Sequence, residues 1–170
     1  YMFDLEKQDG YFPMKSENAK GYSVKDIKEF YHIYLPWGRI PPELSDDTLL
    51  IRKELKNIAT ILLTWINDLS PNRIKKHFSM PLYDMIDKSR TNLLRIIHYP
   101  PLRKDDDVNA LRAAAHEDIN LITILLSGSK PGLQVKDSTN NWIDVKSDYG
   151  SLIINIGDML QECSQGYYPS

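Results

Sequence analysis

Apolar positions change their spacing about halfway along the chain. In the first half they recur at Ile51, Leu55, Ile58, Leu62 and Trp65 or Ile66, gaps of three and four that draw one face of an α-helix. Ser45 stands where an N-cap belongs, and Asp46 and Asp47 suit the positive end of the helix dipole. Ser70-Pro71 stops the pattern. Arg52, Lys53, Lys56 and Asn57 are expected to stay wet on the opposite face. A shorter helix is predicted over residues 81–89. Ahead of both, residues 1–42 are rich in Tyr, Gly and Pro, which predicts an ordered but irregular path with few regular elements. Tyr34 and Trp37 in this stretch are expected to pack on a core rather than to line an entrance.

From Leu93 onward the texture is that of strands. Residues 93–99 form an apolar run ended by Pro100-Pro101, and residues 103–107 form a charged loop. Residues 121–126 are another β-rich run, and the Gly-rich stretch 128–132 turns the chain. Residues 133–136 and 142–145 flank a polar connection and read as a hairpin. Asp148-Tyr149-Gly150 turns again before a strand over 151–156. Short strands at regular spacing argue for an antiparallel sandwich or jelly roll. The expected class is mainly β with an α-helical amino-terminal part. The expected division is an irregular and helical region, 1–92, and a β core, 93–170.

Composition narrows the partners. A length of 170 residues suits one domain or part of a larger one, and 42% hydrophobic residues can build a core. Lys and Arg total 21 against 23 Asp and Glu, a net charge of -2, so neither nucleic acid nor an anionic membrane is an expected partner. Cys163, the one cysteine, cannot form an internal disulfide, which fits a reducing cytoplasm. No stretch is apolar for long enough to cross a bilayer, and no basic-then-apolar signal peptide opens the chain.

The chemistry centres on His116-Glu117-Asp118. Imidazole and carboxylate together suit a borderline divalent metal such as iron(II). On an extended chain residues i and i+2 share a face, so His116 and Asp118 can converge on one ion while Glu117 points away. The β-rich run after Ile119 favours that extended geometry. By itself the tripeptide is weak, because an exposed histidine beside two carboxylates in a loop is the plainer reading.

The surroundings change this. Arg95-Ile96-Ile97-His98-Tyr99-Pro100-Pro101, then Ala115-His116-Glu117-Asp118 with its following strand, come in one order. Gly132-Leu133-Gln134-Val135 with Trp142-Ile143-Asp144-Val145, and Ile154-Asn155-Ile156-Gly157-Asp158, complete the series. In that order they resemble the catalytic core of the isopenicillin-N-synthase-like 2-oxoglutarate oxygenases. Gly21-Tyr22 and Pro36-Trp37 resemble the family's amino-terminal part more loosely.

The resemblance implies a double-stranded β-helix, a distorted jelly roll, preceded by helices. It implies Fe(II) held by two histidines and one carboxylate, with 2-oxoglutarate and O2 as cosubstrates. Decarboxylation of 2-oxoglutarate would then drive oxidation, usually hydroxylation, of a C–H bond in a small-molecule substrate. His116 and Asp118 match the first two ligands. Tyr99 matches a tyrosine that faces cosubstrate or substrate in relatives, beside the alternative of a packed core tyrosine. Asn155 and Gly157 match structural positions, Cys163 follows as packing, and His32, His77 and His98 match no ligand position. His98 is expected to point away from Tyr99, outside the pocket.

The chain departs from the family in two ways. Ile97 stands where many plant members have an Asn. The family's distal histidine, and the arginine that grips 2-oxoglutarate, fall after Ser170, so the jelly roll is expected to be incomplete at the carboxy terminus. The chain also opens on Tyr1 rather than Met. A fragment is therefore the expectation, and by itself it is expected to bind iron weakly. Two rivals stay open: an oxidase on the same scaffold that does not use 2-oxoglutarate, and a non-catalytic jelly-roll binding module.

Overall fold

The computed structural model describes residues 1–17, 26–35, 37–102 and 111–170. Gly21-Tyr22, Pro36 and the charged loop 103–107 lie outside the described residues. The elements run β1 (Gly10–Phe12), β2 (Glu29–Tyr34), α1 (Asp46–Leu69), α2 (Asn72–Lys75), α3 (Leu82–Lys88) and β3 (Leu93–His98). There follow β4 (Ile122–Leu126), β5 (Gln134–Lys136), β6 (Trp142–Asp144), β7 (Leu152–Ile156) and α4 (Asp158–Cys163). Contacts gather them into two compact units, Tyr1–Ser70 with Ser79–His116 and Pro71–Phe78 with Glu117–Ser170.

The first unit holds a three-stranded antiparallel sheet in the order β1-β2-β3. β1 and β2 correct the expectation of few regular elements before Pro42. Glu29-Phe30-Tyr31-His32-Ile33-Tyr34 is a β-branched and aromatic run, and it turns Phe30 and His32 inward. Phe3, Phe12 and Phe30 stack in sequence with ring centroids 4.6 and 4.7 Å apart. Trp37 stacks on Tyr34 at 5.4 Å, as packing requires. The dividing line drawn at 92/93 falls just ahead of β3, whose partner is β2.

Helix α1 begins after Ser45 and ends at Ser70, the predicted positions, although the Ser45 side chain makes no capping bond. Its buried stripe is rotated from the expected one. Ala59 and Leu63 are buried, whereas Ile51 and Trp65 are exposed. The reason is that α1 packs along α3, which draws in the stripe through Arg52, Leu55, Ala59, Leu63 and Ile66. Two residues expected to stay wet are accordingly engaged. Arg52 Nη2 donates to the Asn92 carbonyl at 3.1 Å, and Lys56 pairs with Asp87 at 3.0 Å.

The second unit pairs β4 with β7 and β5 with β6, both antiparallel. The β5–β6 loop is organised by Asp137, whose Oδ1 accepts the backbone N–H groups of Thr139 and Asn141, each at 2.8 Å. Asn140 in that loop takes a φ of 68°, a left-handed conformation that Asn tolerates. α2 was not expected; it follows Pro71, whose fixed φ suits the residue just before a helix. Cys163 lies on α4, half-buried, and burial raises its thiol pKa.

Candidate functional site

His116 and Asp118 lie in irregular chain ahead of β4, which starts at Ile122. The strand expected over 121–126 is present as β4, and the two residues ahead of it are held by specific hydrogen bonds. His116 Nδ1 lies 2.8 Å from the Ala114 carbonyl oxygen. A carbonyl only accepts, so Nδ1 is the donor in this contact. Metal-ligating histidines are commonly held in this way, with the second nitrogen bonded to a carbonyl or carboxylate.

Asp118 is positioned from the other end of the sequence signature. Its carbonyl accepts the Asp158 N–H at 2.7 Å, the Asn120 carbonyl accepts the Met159 N–H at 3.2 Å, and the Leu121 carbonyl accepts the Gly157 N–H at 3.0 Å. The turn into α4 thus grips the backbone that carries Asp118. Gly157 is required because a Cβ there would sit 2.2 Å from the Asn120 carbonyl oxygen. Asn155 lies opposite Thr123 in the β4–β7 ladder, a structural place.

Tyr99 directly follows β3 and is 44% exposed. Local burial raises its pKa, opposed by the positive charges of Lys28 and Arg95. The neighbouring His98 turns outward, and its Nδ1 lies 2.7 Å from Glu29 Oε1. His77 contacts Gln165 at 3.2 Å. His32 is buried between aromatic rings, with Nδ1 donating to the Gln8 carbonyl at 2.9 Å and Nε2 accepting from Arg95 Nε at 2.7 Å. Burial, and then the charge of Arg95, lower its pKa to about 4, so it is neutral with both nitrogens occupied. It is core, not ligand.

Among the described residues, no group of three or more His, Cys, Asp or Glu side chains is placed to hold a metal ion. By donor type, an imidazole and a carboxylate two residues on suit a borderline metal such as iron(II). Sequence reasoning missed Asp26 altogether. Its carboxylate is buried beside Ala114, and no local pattern around it signals that role.

Residues 90–170 match the family model of the 2OG-Fe(II) oxygenase superfamily, and this stretch of the chain belongs to that superfamily. Among particular proteins, a crystal structure of a candidate oxygenase from Shewanella oneidensis is 53% identical with a TM-score of 0.85. The match covers 100% of this chain and 60% of that one. A 2-oxoglutarate-Fe(II) type oxidoreductase of Emericella nidulans is 33% identical over 87% of this chain and 37% of its own length. A flavonol synthase/flavanone 3-hydroxylase of Matthiola incana is 29% identical over 79% of this chain and 43% of its own. The chain spans about a quarter to a half of the length of the curated relatives it matches. No helix among the described residues is long and apolar enough to cross a membrane.

Proposed function

We propose that the protein containing these residues is a non-haem Fe(II) oxygenase that couples 2-oxoglutarate decarboxylation to oxidation of a small-molecule C–H bond, built on a double-stranded β-helix. The observation that carries this reading is the match of residues 90–170 to the superfamily model, within which the contact of His116 Nδ1 with the Ala114 carbonyl orients an imidazole two residues before a carboxylate. His116 and Asp118 would hold the iron. The bound metal, with 2-oxoglutarate and O2, supplies the oxidising power. The chain's own residues supply orientation. Ala114 orients the imidazole and the Gly157-Asp158 turn fixes the backbone of Asp118; by its match to the family's tyrosine, Tyr99 would face cosubstrate or substrate. β4 and β7 form part of the β-helix wall.

The test is oxygen uptake by the intact protein with iron(II), with and without 2-oxoglutarate, while succinate is measured. Stoichiometric succinate that disappears in His116→Ala is the expected result. Oxygen uptake independent of 2-oxoglutarate would favour the oxidase reading. Activity unchanged in His116→Ala would refute the ligand assignment.

A further inference from the structure

We propose that Asp26 is a positioning residue for His116, acting through Ala114; this rests on the reading of His116 as a metal ligand. Asp26 is 2% exposed. Its Oδ1 accepts the Ala114 N–H at 3.1 Å, and its Oδ2 holds Lys28 Nζ at 2.9 Å. The next residue, Ile27, donates its own N–H to the Leu111 carbonyl at 2.8 Å. Two consecutive residues therefore hold the backbone ahead of His116 at two points, three residues apart. Ala114 is itself 3% exposed, and its carbonyl accepts the hydrogen bond from His116 Nδ1. Fixing Ala114 fixes that acceptor, and the acceptor sets both the ring angle and the tautomer.

Asp26 is anchored in turn. Its N–H donates to the Glu17 carbonyl at 3.1 Å and its carbonyl accepts from Lys15 N–H at 3.2 Å. Lys28, 8% exposed, neutralises the buried carboxylate and also lies 3.5 Å from Glu17. An apolar side chain at 26 would leave the buried Ala114 N–H without an acceptor. An asparagine would keep the acceptor and lose the ion pair, which separates positioning from general support of the fold.

The experiment is manganese(II) titration of the chain, followed by its EPR signal, together with nitrogen NMR of the His116 ring before metal is added. Asp26→Ala is expected to weaken binding 10- to 100-fold, the usual range for lost outer-shell partners. It is also expected to shift the ring from the Nδ1–H form toward Nε2–H. Asp26→Asn is expected to stay within about threefold of the parent affinity and to keep the Nδ1–H form, despite lower stability from the lost ion pair. His116→Ala is expected to abolish the specific site. Wild-type affinity in Asp26→Ala, with binding lost in His116→Ala, would overturn the positioning role and leave the ligand reading standing. Unchanged binding in His116→Ala would overturn the ligand reading itself. Asp26→Asn decides the matter even where Asp26→Ala does not fold, since a loss beyond tenfold there assigns the residue to fold support alone.

Discussion

The first unit buries Phe12, Ile27, Phe30, Ile33, Ala59, Leu63, Leu82 and Ala114, and with them Asp9, Asp26, Lys28 and His32. The second buries Ile74, Leu160 and Ser164, while Trp142, Ile143, Leu126 and Ile154 stand 40 to 51% exposed. The boundary between the units in the chain falls between His116 and Glu117. On the first side a buried polar network reaches the ligand candidate through Asp26 and Ala114. On the second, backbone amides of a tight turn hold Asp118 with little apolar cover around the sheet. Stability and positioning are thus supplied differently on the two sides of one tripeptide, and they can be perturbed separately.

The hardest blow to the first unit is Asp9→Ala. Asp9 is fully buried, and its carboxylate accepts the Arg39 backbone N–H at 2.8 Å and the guanidinium at 3.0 Å. Removal is expected to be strongly destabilising, because the Arg39 backbone N–H loses its acceptor inside the fold while the guanidinium, 40% exposed, loses its charge partner. Hydrogen exchange should show the loss in β1 and β2, with β5 and β6 unchanged. Equal loosening of both units would break the comparison.

Leu63→Ala and Ile143→Ala sharpen it next. Leu63 is fully buried, and its truncation should cost about 3 kcal/mol in chemical denaturation. Ile143 is 50% exposed, and its truncation should cost less than about 1 kcal/mol. In the second unit the sensitive position is Gly157. Gly157→Ala forces a Cβ onto the Asn120 carbonyl and should cost about 2 kcal/mol. It should also displace Asp118, visible as weaker manganese binding.

A pH titration probes the first unit without mutation. The folded-state pKa of His32 is lowered to about 4 from an ordinary 6.5. Between those values the unfolded chain binds the extra proton, so stability is full above pH 6.5 and falls as pH drops toward 4. The loss should reach about 2.5 kcal/mol by pH 4.5, and His32→Gln should remove that part of the slope. An unaltered slope in His32→Gln would place the proton elsewhere.

Much of this was legible in the order of residues. α1, α3, β3, β4, the β5–β6 hairpin and β7 follow from spacing and turn residues that act locally. β1 and β2 were hidden because Tyr, Gly and Pro around them mask short runs stabilised by long-range pairing, β1 with β2 and β2 with β3 some sixty residues away. His116 and Asp118 were legible by residue type and surroundings, but not the irregular backbone that carries them. Asp26 was not legible at all. Its partner Ala114 is 88 residues distant, and a carboxylate that accepts a backbone N–H leaves no trace in periodicity.

The most direct test of the central claim is paramagnetic broadening of amide NMR signals by manganese(II) at substoichiometric concentration. Signals of residues 114–120 and 157–159 are expected to broaden first, and this selectivity to be lost in His116→Ala and in Asp118→Ala. Broadening spread evenly over the surface carboxylates, or selectivity that survives both substitutions, would contradict that claim.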